Sequence, residues 1–483
     1  MKKSSVLKRI DRWKILLALP TIGLYFYHGI AVLRGAVDVP LMDEWEYLDP
    51  WALPAGLTLR WLIMPLAEHL NVFPRLLVWL LYRTCALDFA VQQALNFLLF
   101  GAVLALGAVW TRRILGARSW VFWLFAPFLL SPALEGGHSH GLHASIHLAM
   151  LFSLTSLLLI FSPSESRGRL FAGAAAGLCA TASFASGHFF SLAGAAVFSY
   201  VRLLAPRKND IRPAIADIAV VTLPELGGLL VAVVAALLLL PIYARHPPPM
   251  MEWAMRHVAA GRAASAELPP GASGFDFLAA IWTPPTDRAF WTSFLGLVSR
   301  GFGLREPSIW IGLLGLTIVL APLLWELRVC GLRASGYPLL AATTLGIFGT
   351  IAAISLARTW MGDWGLNQSR YAEFCLLLGL VSAAAWTLRL REDPRARAGA
   401  LSALWLFCAL CSARSWDFSV YGRNREVREA GLACVREYYR AGGRGECPQL
   451  HPLPLAERLD RARVLRLSFY RRMENEVSAG KRP

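Results

Sequence analysis

Four histidines fall within ten residues: His138, His140, His143 and His147, with Glu135 just ahead of them. His143 and His147 are spaced i, i+4, which on a helix puts two imidazoles on one face, a spacing that metal sites use. The set matches no named zinc signature. Metal ligation, contact with a phosphate or headgroup, and a structural role all stay open, and His188 could join the same pocket. A second concentration is acidic. Asp43, Glu44, Glu46 and Asp49 stand in the run MDEWEYLD. Anionic headgroups repel such a run, so it is no lipid anchor. It is either a solvated loop or a source of a carboxylate base that removes the proton of an acceptor hydroxyl. Arg358 and Arg370 bracket a third polar stretch that also holds Asp363 and Asn367. A guanidinium presents a planar fork of donors that suits a phosphate. Arg370 with Tyr371, and Arg245 with His246, are either phosphate contacts or interface anchors.

These groups must be held by apolar elements. The chain has 483 residues, of which 56% are hydrophobic and 17% charged. Soluble domains carry about 25% charged residues, so the composition excludes an ordinary soluble enzyme and a disordered chain. It predicts an all-α polytopic membrane protein. Apolar runs of helix-spanning length are expected near 15–33, 88–111, 119–134, 143–161, 170–186, 188–204, 216–244, 307–325, 337–357, 371–388 and 399–413, about eleven in all. The basic start, MKKSSVLKRIDRWK, precedes a run with no small-residue cleavage site, so the first span is read as uncleaved. Residues 170–204 are read as two short helices turning at Ser186-Gly187-His188. Glu225 interrupts the run at 216–244; an intramembrane acid is costly, and capping or snorkelling toward the cytoplasm is expected of it.

The formal charge is +16. Nucleic acid is not the expected partner, because Arg and Lys gather in short loops between spans, as topology control requires. Arg112, Arg113 and Arg118, then Arg167 and Arg169, then Arg202 and Arg207, then Arg328 and Arg333, and finally Arg389 to Arg397 fall on one side. The opposite short loops at 135–142 and 186–188 carry neither Lys nor Arg. By the positive-inside rule the N-terminus is cytoplasmic. An odd number of spans then puts a tail at 414–483 outside, together with a first outer loop at 34–87 and a middle one at 245–306. The expected organisation is a membrane module over 1–413 followed by that tail. In the first outer loop, LTLRWLI and NVFPRLLVWLLYR are too short and too charged to span, and read as interfacial helices. The location implied is a bacterial inner (plasma) membrane, crossed many times.

The order of first span, Asp-Glu motif in the first outer loop, interfacial helices and multispan bundle resembles the C-type (GT-C) glycosyltransferases. These are integral-membrane enzymes that use lipid-phosphate-linked sugars. More narrowly, the chain resembles bacterial members with Asp-Glu-Trp, then Glu-His, then Pro-Arg-Leu. Here those are Asp43-Glu44-Trp45, Glu68-His69 and Pro74-Arg75-Leu76, with Ser369-Arg370-Tyr371 near the end. The resemblance covers most of the chain as topology and about 50 residues as motif. It implies a GT-C-like bundle with a catalytic acid at Asp43 or Glu44, Asp43 being the base. It also implies a polyprenyl-phosphate-linked sugar as donor, with Arg370 the better placed residue to hold its phosphate. Glu68, His69, Arg75, Arg358, Tyr371, His138, His188 and Arg245 are the further candidates for substrate contact. Glu68-His69 stands where the protein mannosyltransferases of that class carry a His-Pro-Pro-like motif, which leaves sugar and acceptor open. No Gly-rich nucleotide loop appears, and no cofactor is expected beyond a divalent metal at the histidines. A lipid or glycan flippase, or a non-catalytic assembly protein, are the rival readings.

Of eight cysteines, Cys408 and Cys411 lie in an apolar run and read as packing. Cys434 and Cys447 lie in a polar stretch with Gly442, Gly443 and Gly445 between them. In an oxidising compartment they are expected to form a disulfide; the other reading is two free thiols.

Overall fold

The computed structural model describes residues 12–48, 53, 57–63, 70–163, 166–204, 211–245, 282–330, 332, 335–359, 369–451 and 454–478. Among these every regular element is helical, and no strand occurs. Eight helical stretches are long and apolar enough to cross a membrane: Lys14–Gly35, Phe89–Arg118, Gly141–Ile160, Ala214–Val231, Ile309–Val329, Tyr337–Arg358, Tyr371–Arg389 and one beginning at Pro394. The protein is a helical membrane protein.

In chain order the first helices are α1 (Arg12–Gly35), α2 (Leu59–Ile63), α3 (Val72–Cys85), α4 (Phe89–Leu115), α5 (Val121–Leu129), α6 (Glu135–Ser139) and α7 (Ala144–Ile160). Then come α8 (Arg167–Thr181), α9 (Ser186–Leu204), α10 (Ile211–Arg245), α11 (Arg288–Arg300), α12 (Ile309–Cys330) and α13 (Tyr337–Arg358). The last are α14 (Ser369–Arg389), α15 (Pro394–Ser412), α16 (Ser419–Arg440), α17 (Ala456–Val464) and α18 (Ser468–Ser478). Helix starts follow ordinary capping chemistry. The Asp88 carboxylate accepts from the Ala90 and Val91 amides, and Asp393 does the same for Arg395 and Ala396.

α14 is the central helix, buried continuously from Tyr371 to Ala385. α5, α11, α12, α13 and α15 pack around it. The expected pair at 170–204 is α8 and α9, which pack on each other. The expected span at 119–134 is cut short. α5 has nine residues with Pro127 inside, and the chain continues through a 3₁₀ turn into α6. Residues 288–300, read as part of the middle outer loop at 245–306, form α11. Its Phe290, Phe294, Leu297 and Val298 join the main core. Glu225 does not snorkel: it is 2% exposed, with its carboxylate against Gly177 and Ser191 of α8 and α9.

The helix ends sort onto two faces. On one, Arg113 of α4 donates to Phe161 at the end of α7, Arg118 donates to Arg391 beyond α14, and Asp217 of α10 pairs with Arg167 and Arg202. This face collects the arginines of the short loops. On the other, the Phe89 amide donates to Asp38, the Val72 amide to Ala182, the Thr283 amide to Leu356, and the Ser415 hydroxyl to Gly303. There the segment after α1 and the C-terminal tail share one core. Trp45, Tyr47, Leu48, Trp61, Val78 and Phe89 pack with Val435, Tyr438, Leu450, Leu459 and Phe469. The tail is therefore no free appendage but half of a capping module.

Candidate functional site

Two buried constellations meet under that module. The first grows from the acidic run, which forms a 3₁₀ helix over Met42–Leu48. Glu44 is wholly buried. Its Oε2 accepts from the Leu41 amide at 2.8 Å and from Arg428 Nη1 at 3.0 Å, and its Oε1 accepts from the Gly141 amide at 2.7 Å. Arg428, from α16, also donates to the Val39 carbonyl and, at 2.9 Å, to the Ser139 carbonyl. Two charges out of water are tolerated when they are paired and their remaining sites hydrogen-bonded. Glu44 is thus a clamp, joining the first loop, the tail and the segment 139–141. That occupation does not suit the alternative assignment of Glu44 as the proton acceptor. Asp43, next to it, is half-buried. Glu46 pairs with Arg458 at 3.1 Å and faces His451 at 3.9 Å.

The second constellation lies just below. His138 of α6, His147 of α7 and Glu373 of α14 are all buried and offer ligand atoms within 4.8 Å of one another. His147 Nε2 is 2.9 Å from Glu373 Oε2, and His147 Nδ1 is 2.6 Å from Asn96 Oδ1. Asn96 in turn donates to the Gly137 and His140 carbonyls at 2.6 and 2.9 Å. His138 Nδ1 lies 3.2 Å from His28 Nε2 and 3.4 Å from the Tyr421 hydroxyl, which itself contacts His28. Gly137 admits this approach: a Cβ there would sit 1.2 Å from Glu373 Oε1. At 1.5 Å rise per residue, His28 and Asn96 lie about 10 Å inside the ends of α1 and α4. Glu373 also lines a small cavity whose other walls are apolar, among them Phe100, Val103, Leu129 and Met150.

The other expected residues are dispersed. His140 and His143 turn to the Gly136 carbonyl, at 3.1 and 2.6 Å, and not to His147. His143 stands at the N-cap of α7 with its Nδ1 on the Gly136 carbonyl, and the candidate ligand group joins His147 to His138 and Glu373 instead. His188 contacts Thr181 at 3.3 Å, between α8 and α9. Arg75 is buried under the module, over the Trp61 ring and donating to the Trp61 carbonyl. Arg358 ends α13, and Tyr371 is buried at the start of α14. Arg370 is in the first turn of α14 and Arg245 in the last turn of α10, but their side chains, like that of Glu135, lie outside the description. Glu68, His69, His246, Asp363 and Asn367 lie outside the described residues.

The sequence reading missed Glu373, His28, Asn96 and Arg428. Two had a legible signal: Glu373 and His28 are ionisable residues within spans, which default to function. Comparison with known proteins adds no identity: no family model, no curated protein and no solved structure matches the chain.

Proposed function

We propose that the chain is an integral-membrane glycosyltransferase of the GT-C kind, with about eleven spans, in a bacterial inner membrane. The N-terminus is cytoplasmic, and the capping module of first loop and tail lies outside. The enzyme moves a sugar from a polyprenyl-phosphate donor to an acceptor hydroxyl on that side. Asp43 takes the hydroxyl proton and the acceptor oxygen attacks the anomeric carbon. The bond from that carbon to the phosphate oxygen breaks, and the lipid phosphate leaves with the electron pair. Developing charge on the leaving phosphate is where fixed donors count most, and Arg370 is the donor proposed.

One observation carries the reading. The clamp Glu44–Arg428–Ser139 fixes the acidic motif directly above the segment that touches Glu373, one helical turn from Arg370 on α14. That the acidic motif and the start of α14, which carries Arg370, share one end of the bundle supports the reading. Purified protein presented with a panel of polyprenyl-phosphate sugars should release lipid phosphate and glycosylate an acceptor. Asp43→Asn should cut that rate by about 10²–10⁴, the usual contribution of a general base, with melting unchanged. An Asp43→Asn protein as active as the wild type contradicts the reading. Movement of the lipid across the bilayer without bond cleavage points to the flippase instead.

A further inference from the structure

We propose that His138, His147 and Glu373 bind one divalent transition-metal ion, of the zinc type. The site is independent of the glycosyltransferase reading. The argument begins at Asn96, whose amide nitrogen spends its two hydrogens on the Gly137 and His140 carbonyls. Its Oδ1 is therefore the atom facing His147 Nδ1 at 2.6 Å, and Nδ1 must carry the hydrogen. A neutral His147 then presents a bare lone pair at Nε2, aimed at a carboxylate oxygen 2.9 Å away. Two acceptors at that distance repel unless a cation or a proton lies between them.

A proton shared by His147 and Glu373 would answer that one contact. It would leave His138 unexplained. The Nδ1 of His138 is occupied by the His28 and Tyr421 contacts, while its Nε2 is buried with no hydrogen-bond partner. A buried ring nitrogen without a partner is costly. A metal ion satisfies both Nε2 atoms and the carboxylate together. It also supplies positive charge to Glu373, which pairs with no Lys or Arg among the described residues.

The surroundings match those of metal-ligating imidazoles. Such histidines bind through one nitrogen while the other is held by a neighbour that fixes tautomer and ring orientation. Asn96 does this for His147, and His28 with Tyr421 for His138. Two imidazoles and one carboxylate suit zinc, or ferrous iron with its two-histidine, one-carboxylate face. They do not suit magnesium or calcium, which want oxygen. In a tetrahedral site with ligands at about 2.1 Å the ligand atoms lie about 3.4 Å apart, so a triad whose atoms lie within 4.8 Å of one another closes by side-chain shifts of roughly 1 to 1.5 Å. Glu373 also borders an otherwise apolar cavity of about 20 Å³.

The test uses the full chain in detergent, stripped with a chelator and titrated separately with Zn²⁺, Co²⁺ and Mg²⁺. One equivalent of Zn²⁺ should bind and Mg²⁺ should not. Co²⁺ should give the visible absorption of a low-coordinate nitrogen–oxygen site. Glu373→Gln and His147→Gln should abolish the stoichiometric site. Asn96→Ala, which touches no metal, should weaken Zn²⁺ about 10–100-fold, and His140→Gln should leave it unchanged. Cooperative melting verifies that each variant is folded. If the Gln variants do not fold, the Co²⁺ spectrum of the wild type decides. The proposal is overturned if stripped wild type takes up no Zn²⁺ or Co²⁺, or if folded Glu373→Gln retains the full equivalent.

Discussion

At Arg428 and Glu44 two opposite charges meet at 3.0 Å with neither side chain in contact with solvent. Removing one partner leaves the other charge buried and alone, which typically costs 3–5 kcal/mol. Arg428→Met should therefore lower stability by about that amount, while the pair Glu44→Gln with Arg428→Met should cost less than the sum of the two single changes. Equal and additive losses in a double-mutant cycle of melting curves would show that the two side chains do not act as a clamp. Asp38 makes a different prediction. Burial, then the nearby Asp88 carboxylate, push its pKa up to about 6 from an ordinary value of 3.8. The folded state thus holds a proton that the unfolded chain has released. Stability contributed by this group is present below about pH 4 and is lost as pH rises toward 6, on the order of 3 kcal/mol in all. Asp38→Asn keeps the Oδ1 that accepts the Phe89 amide and should flatten that decline. A wild-type and variant pair with parallel stability curves from pH 4 to 7 would refute it.

Elements with strong local signals were legible in the sequence, and long-range partners were not. The apolar runs at 15–33 and 88–111 are α1 and α4, and the run at 170–204 does break in two, but the turn falls at 182–185 and Gly187, read as the turning point, lies inside α9. The histidine cluster was visible as composition. Its geometry was not, since His143 turns to the Gly136 carbonyl and the third ligand candidate comes from α14. Glu44 read as the catalytic neighbour of Asp43, because nothing near it in sequence reveals Arg428. In the tail, Cys434 of α16 is bonded to Cys447 with Cα atoms 5.8 Å apart. The turn between them puts Gly442, Gly443 and Gly445 at φ of 68°, 86° and 124°, where a side chain would be strained. The bridge ties the end of α16 to the segment that buries Cys447 and Leu450 under the first loop. Replacing both cysteines by serine should cost about 3 kcal/mol in the chain-entropy model, read as a lower melting temperature of the capping module. A melt insensitive to reduction and to the substitution would exclude a structural role for the bridge.

Across the whole molecule, the arginines of the short loops mark one face, and the acidic motif, the tail and the start of α14 mark the other. The positive-inside rule assigns the first face to the cytoplasm, and the proposed transfer from a polyprenyl phosphate requires the second to face away from it. Sidedness is therefore the claim on which the base, the donor phosphate and the disulfide all depend. It can be read directly with two single cysteines at exposed positions. Val464 in the tail is 78% exposed, and the Glu392 side chain, between α14 and α15, is 88% exposed. In intact cells treated with a membrane-impermeant thiol reagent, Val464→Cys should label at once and Glu392→Cys only after the membrane is opened. Labelling of Glu392→Cys in intact cells, with Val464→Cys protected until lysis, would invert the topology and contradict the account.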